Sequence, residues 1–131
     1  MIVDTSAVIA IIRDEGDREA YVQALLDDSS PKMASPTYLE CCIVIQRLGD
    51  PVAERRLEEL LQALGVEVVP FTLPDAETAR RAYRDFGKGT GHPAQLNYGD
   101  CISYATAVNR REPLLWKGED FGHTGVAAAL G

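Results

Sequence analysis

Short apolar runs alternate with helix-forming segments along this chain, and that alternation narrows the fold more than any other feature. Met1-Ile2-Val3, Lys32-Met33-Ala34, Val66 to Val69 and Leu114-Leu115-Trp116 read as strands. Between them, apolar residues recur at helical spacing in Ala7 to Ile12, Ser35 to about Leu48, Val52 to Leu64, Asp75 to Phe86 and Asn97 to about Asn109. A further helix, Asp17 to Leu26, places Ala20, Tyr21, Ala24 and Leu25 on one face. The punctuation agrees. Ser35-Pro36 supplies an N-cap and a first-turn proline. Gly49-Asp50-Pro51 stops that helix and Gly65 ends the next. Gly87 to Gln95 is a loop, and Val126 to Leu130 is expected to form a last short strand or helix. Strands separated by helices imply a parallel sheet wrapped by helices, an α/β fold. A chain of 131 residues has room for one core, so residues 1–131 are expected to form one domain.

In such sheets, function sits beyond the carboxyl ends of the strands. Asp4 ends the first strand and Asp120 lies a few residues beyond the last. Asp100 falls in the first turn of its helix, and Glu40 in the second turn of its own. If both helices start at the same sheet edge, four carboxylates from distant parts of the chain converge. Two carboxylates about 4 Å apart repel by roughly 4 kcal/mol at an effective dielectric near 20. No histidine, lysine or arginine stands beside them as a built-in partner; Lys117 is the nearest. Such a cluster holds protons or binds a cation. Oxygen-only ligands select hard ions such as Mg2+ or Mn2+, which can activate water for hydrolysis of a phosphodiester. Ser6, with Thr5 as the second choice, is placed to orient a ligand carboxylate or a metal-bound water.

Charge and cysteine content exclude other classes. The net charge of −7 argues against a module that holds nucleic acid by phosphate neutralisation alone. It does not argue against a nuclease whose acidic site is screened by cations. Cys41, Cys42 and Cys101 contain no Cys-x-x-Cys and make neither a disulfide nor a zinc framework, so reduced, packed thiols are expected. The apolar stretches are too short to span a bilayer, and Met1-Ile2-Val3-Asp4 has no signal-peptide pattern. A cytoplasmic location is the expectation.

The four acidic segments, in order and at their spacing, resemble those of PIN-domain nucleases. Met1-Ile2-Val3-Asp4-Thr5-Ser6-Ala7 resembles the opening motif, Pro36-Thr37-Tyr38-Leu39-Glu40 the second, Asn97-Tyr98-Gly99-Asp100-Cys101 the third and Leu114-Leu115-Trp116-Lys117-Gly118-Glu119-Asp120-Phe121 the fourth. A PIN-like chain is a three-layer α/β/α sandwich. A lone domain of this length resembles the toxin of a VapBC toxin–antitoxin pair. The resemblance implies a homodimeric, Mg2+-dependent endoribonuclease, active with Mn2+ as well, acting on structured RNA and inhibited by a small cognate antitoxin. Asp4, Glu40, Asp100 and Asp120 take the acidic positions as catalytic and metal-binding residues, with Ser6 in support. One position departs: many such toxins continue with Thr-Asp, whereas Thr124 here is followed by Gly125. Asp120 therefore ranks below the other three acids.

Simpler readings stand beside these. Asp4 can cap the helix after it, Asp100 can complement the positive end of its helix, and Glu40 can be a rim residue. Glu119 reads as a solvated neighbour. Gly87-Lys88-Gly89-Thr90-Gly91-His92 lacks the Gly-x-x-x-x-Gly-Lys order of a phosphate loop and reads as a flexible connector. Lys88 and His92, close in sequence to Asp100, are candidate RNA contacts. Tyr98 and Tyr104 read as core, His123 as a structural or surface residue, and Arg80, Arg81 and Arg84 as a solvated helix face. Two other functions compete. A phosphatase-type phosphoryl-transfer protein needs Asp-x-Asp after its first strand, where Ser6 stands instead of the second aspartate. A non-catalytic PIN-like RNA-binding or regulatory module usually lacks one or more acids, whereas all four positions are filled here.

Overall fold

The structure, a computed structural model, describes residues 1–130. In chain order the elements are β1 (Ile2–Val3), α1 (Thr5–Ile12), α2 (Arg18–Asp27), β2 (Lys32–Ala34), α3 (Ser35–Arg47), α4 (Pro51–Ala63), β3 (Glu67–Val69), α5 (Leu73–Phe86), α6 (Tyr98–Arg110) and β4 (Leu114–Leu115), then a 3-10 turn at Asp120–His123. The strands lie in the order β3-β2-β1-β4 and every pair is parallel. Ile2 stands opposite both Lys32 and Leu114.

Successive strand residues point to opposite faces, and that period sorts the core into two layers. Val3, Met33 and Leu115 face one side, where they meet Ala7 and Ile11 of α1, Tyr21 and Leu25 of α2, Cys41 and Ile45 of α3, and Leu57 and Leu61 of α4. Ile2 and Leu114 face the other, against Ala82 of α5, Leu96, Ala107 of α6 and Phe121. The central strands are buried on both faces, as a parallel sheet requires. The result is the expected three-layer α/β/α sandwich.

Most helix starts carry a side-chain cap. Asp50 accepts from the Val52 N–H at 3.0 Å, and Thr72 with Asp75, and Asn97 with Asp100, form reciprocal capping boxes. Thr72 therefore caps α5, which begins at Leu73, two residues before the Asp75 that the apolar spacing suggests. Ser35 is not a cap. It lies inside α3, which leaves β2 directly at Ala34 with no side-chain capping bond. Ala20 is exposed, and Tyr21 and Leu25 alone are fully buried on α2. Residues 126–130 form neither helix nor strand. Leu114 donates to the Ala127 carbonyl and accepts from the Ala129 N–H, both at 2.9 Å, so the tail makes one bridge beside β4. A two-residue strand has backbone groups for no more than that. Tyr104 packs edge-on against Phe86 at 5.7 Å, but Tyr98 is 82% exposed because the first position of α6 turns it away from the sheet. The three cysteines are free thiols. Among the described residues, no helix is long and apolar enough to cross a membrane.

Candidate active site

The chain leaves β1 at Asp4, whose backbone N–H still bonds the Leu115 carbonyl at 2.9 Å. That bond fixes where the side chain emerges, at the carboxyl edge of the sheet. The carboxylate is buried and accepts three hydrogen bonds. Ser6 donates to Oδ2 through its N–H at 3.0 Å and its hydroxyl at 2.7 Å. Ser103 donates its hydroxyl to Oδ1 at 2.6 Å. Ser6 Oγ in turn accepts the Lys117 N–H at 2.9 Å, which ties the start of α1 to the segment after β4. Asp4 thus caps α1 while its carboxylate stays at the carboxyl edge of the sheet, so the capping reading does not compete with a role in the site.

Glu40 is half-buried. Its Oε1 accepts from the Thr5 hydroxyl, so the two hydroxyls expected to serve the site divide the work: Ser6 holds Asp4 and Thr5 holds Glu40. The Glu40 carboxyl lies against the first turn of α6. A Cβ built at Gly99 would fall 2.8 Å from Glu40 Cδ and Oε1 and closer still to Oε2. Burial pushes the Glu40 carboxyl up, the Thr5 hydroxyl opposes it, and the charge on Asp4 adds to the rise. Asp100 accepts the Asn97 N–H at 3.0 Å. Its carboxyl is pushed up to about 6, first by burial, against the pull of that N–H, and then by the charges of Asp4, Asp120 and Glu40. Asp120 sits exposed at the first position of the 3-10 turn, near enough for its charge to reach Asp100. All four acids therefore share one edge, and Asp100 feels the other three.

No cation compensates them. The Lys117 ammonium pairs with Glu15, and with Asp17 at 3.9 Å, instead. Among the described residues, no salt bridge reaches Asp4, Glu40, Asp100 or Asp120. Nor do three carboxylate, imidazole or thiol groups already enclose a point where one ion would sit. Burial pushes the Cys41 thiol up to about 12 and the Cys101 thiol up to about 11, away from the reactive thiolate form.

The loop from Gly87 to Gln95 is better anchored than a flexible connector. Lys88 donates to the Leu96 carbonyl at 2.8 Å and Leu96 to Phe86 at 2.9 Å. The Tyr83 hydroxyl reaches the Lys88 carbonyl at 2.8 Å. His92 turns into the loop, its Nδ1 accepting the Ala94 N–H at 3.1 Å and its ring edge-on to Phe86 at 5.0 Å. Lys88 is exposed and lines a cleft of about 710 Å³ with Arg80, Tyr83 and Tyr98. His123 is exposed at the end of the 3-10 turn. Gly125 has φ +79°, a left-handed turn that glycine enters without strain.

Sequence reasoning missed Ser103 and Gly99. The available signal for Ser103 was a hydroxyl three residues after Asp100 on a helix otherwise buried by Cys101, Ile102 and Ala105. A buried serine needs a partner. For Gly99 the signal was a glycine in the first turn of a helix, where its low propensity calls for a packing reason.

Known proteins share this plan. The PIN-domain family matches residues 1–127. Ribonuclease VapC28 of Mycobacterium tuberculosis is 57% identical over 130 residues, covering 99% of this chain and 98% of the relative. Ribonuclease VapC42 of the same organism is 43% identical over 129 residues, 98% of each. Among solved structures, Mycobacterium tuberculosis VapC20, described as a sarcin-ricin loop cleaving toxin, superposes with a TM-score of 0.72 at 14% identity, covering 96% of this chain and 95% of that one. VapBC2 from Rickettsia felis, bound to a DNA fragment of its promoter, gives 0.74 at 10%, covering 97% and 94%. The solved structures speak for the fold; the family match and the two close relatives speak for descent. The chain belongs to the PIN-domain family and, within it, to the VapC ribonucleases.

Proposed function

We propose that this protein is the toxin of a type II toxin–antitoxin pair, a Mg2+-dependent endoribonuclease formed by one domain over residues 1–131. The observation that carries the reading is the uncompensated carboxylate edge: Asp4, Glu40, Asp100 and Asp120 without a single cation, two of them pushed upward in pKa. The donor set is all oxygen, which suits a hard divalent ion. Mg2+ is held through one or two carboxylates with the rest of its shell as water, so it does not require three carboxylates to meet at one point. Asp4, Glu40 and Asp100 would hold it, with Asp120 as an outer fourth; Mn2+ would substitute. When bound, the ion supplies an activated water and charge for the leaving oxygen of an in-line displacement.

The protein's own groups set the stage for that step. Ser6 and Ser103 fix the Asp4 carboxylate, Thr5 fixes Glu40, and Asn97 fixes Asp100. Above about pH 6 the Asp100 carboxyl gives up its proton and becomes available as a ligand. Lys88, with Arg80 across the cleft beside α6, is the better placed RNA contact. His92 is committed to its own loop through Nδ1 and would offer only its other ring nitrogen.

Two surfaces support protein partners. Leu39, Ile43 and Tyr98 are exposed side by side next to Glu40, a patch suited to a homodimer. Ile11, Ile12, Leu60 and Ala63, with Arg18 and Arg56, line a shallow cleft on the early helices that suits a segment of a small cognate antitoxin. The assembly is cytoplasmic in this reading. Cleavage of RNA with Mg2+ or Mn2+, with EDTA, and with Asp4→Asn tests the mechanism. We expect at least a ~100-fold loss, about 2.7 kcal/mol of barrier, for either treatment. Activity that survives both refutes it.

A further inference from the structure

We propose that Ser103 is a positioning residue of the acidic site, which sets the single direction in which Asp4 can meet a cation; the inference rests on the metal-dependent reading above. Ser103 is fully buried on α6. A buried helical serine ordinarily bonds the carbonyl one turn back in its own helix. Thr106 does so, donating to the Ile102 carbonyl at 2.7 Å. Ser103 instead donates across the fold to Asp4 Oδ1 at 2.6 Å. Two buried hydroxyls one turn apart on the same helix thus have different uses: one closes on its own backbone, the other is spent on the site.

Counting lone pairs shows what that bond does. An ionised carboxylate has about four acceptor positions. On Asp4, Oδ2 accepts both the N–H and the hydroxyl of Ser6, which fills that oxygen. Oδ1 accepts Ser103 alone. One position remains, on Oδ1, so Asp4 serves as a one-oxygen ligand and Ser103 decides where the open position points. Without the Ser103 hydroxyl, Oδ1 loses its one hydrogen bond and the carboxylate is held through Oδ2 alone. The same helix places Asp100 one turn earlier and lays Gly99 against Glu40, so α6 is the common template for all three inner acids.

The test is Mn2+ binding followed by electron paramagnetic resonance of the free ion, on wild type, Ser103→Ala and Ser103→Thr, alongside the thermal midpoint of each metal-free protein. Outer partners of metal ligands are typically worth about 10–100-fold in affinity. We expect Ser103→Ala to keep its fold and lose about 10-fold in Mn2+ affinity. Ser103→Thr, which keeps the hydroxyl, should stay within about threefold of wild type. RNA cleavage by Ser103→Ala at saturating metal should fall in kcat with KM unchanged. Wild-type affinity in Ser103→Ala overturns the proposal. So does a loss that Ser103→Thr fails to restore while its thermal midpoint matches wild type. If Ser103→Ala does not fold, Ser103→Cys, of similar size with a weaker donor, takes its place with the same expectation. Absence of Mn2+ binding by the wild type is a different failure, that of the metal reading itself.

Discussion

The two ends of one small sheet handle carboxylates in opposite ways. At the amino-terminal edge, the Met1 α-amino group bonds Asp28 at 3.1 Å and Glu112 at 2.8 Å, and Lys32 bonds Glu112 at 3.0 Å. Burial alone would push these acids up. For Asp28 the Ser30 N–H and the α-amino group outweigh it, and for Glu112 the α-amino group and Lys32 do; both carboxyls are held below the usual range. At the carboxyl-terminal edge, about 10 Å of chain away along β1, no cation appears among the described residues and Glu40 and Asp100 rise. The residue types match, although Asp28 and Glu112 follow the ends of α2 and α6 whereas Glu40 and Asp100 lie within α3 and α6. The difference is the missing counter-charge, and it separates an edge whose acids are paired from one whose charges, in the function proposed above, a cation would balance.

The largest effect expected from breaking this contrast comes from a single methyl group. Gly99→Ala puts a Cβ where the Glu40 carboxyl lies. Glu40 must swing out, since the other side of the contact is helix backbone. RNA cleavage should fall about 100-fold, or about 2.7 kcal/mol, while metal-free stability changes little because alanine favours the helix. Cleavage within threefold of wild type would show that Glu40 is not needed where it sits.

The opposite edge should respond in stability and not in chemistry. Glu112→Gln removes the anion shared by the α-amino group and Lys32 and leaves two partly buried cations. Charged hydrogen bonds of this kind contribute about 1.5–3 kcal/mol, and urea denaturation should show a loss in that range. Cleavage per folded molecule should match wild type. A fall in specific activity without a fall in stability would mean the two edges are coupled through β1 and β4.

Much of this contrast was legible in the chain before any coordinates. Asp4 and Asp120 were marked by their place after strand-like runs, and Asp100 by its place in the first turn of its helix. The layered plan followed from the alternation of strand-like and helical segments. What stayed hidden was of another kind. Ser103 looks like any small helical residue, because its partner lies 99 positions away in sequence. Ala20 satisfies the helical period of α2 but lies outside its contact with the sheet. Ser35 has the identity of a cap, yet α3 springs from the strand one residue sooner. Tyr98 is an aromatic at a helix start, and only tertiary placement shows it facing out. Pattern locates elements and acids; the choice of partner across the fold needs the packing.

A smaller effect, of opposite sign to that of Glu112→Gln, is expected at the acidic edge. Asp100→Asn keeps an acceptor for the Asn97 N–H and removes one of four mutually repelling charges. In EDTA at pH 8 the variant should be more stable than wild type by about 1 kcal/mol, a rise of about 3–5 °C in Tm for a domain of this size. Mg2+ should raise the Tm of wild type and leave that of the variant nearly unchanged. An Asp100→Asn protein that melts below wild type in EDTA would place this acid with Asp28 and Glu112, among the stabilising ones.

The least effect, and the one that reads both edges at once, is the pH dependence of the metal-free protein. A carboxyl raised on folding contributes stability that is present below its unfolded pKa and is lost as pH rises through its folded value. For Asp100 that window runs from 3.8 to about 6. Carboxyls lowered on folding do the reverse: the contributions of Asp28 and Glu112 are present above 3.8 and 4.5 and are lost as pH falls further. In EDTA, stability should therefore decline on both sides of roughly pH 5, on the acid side from the paired edge and on the neutral side from the unpaired one. The difference between wild type and Asp100→Asn isolates the carboxyl. That difference should open between pH 4 and 6.5 and then hold level, and Mg2+ should close it by taking the place of the proton. A difference that stays flat across this range would mean that Asp100 ionises in the folded protein as it does in the unfolded chain, and the acidic edge would then need no cation to complete it.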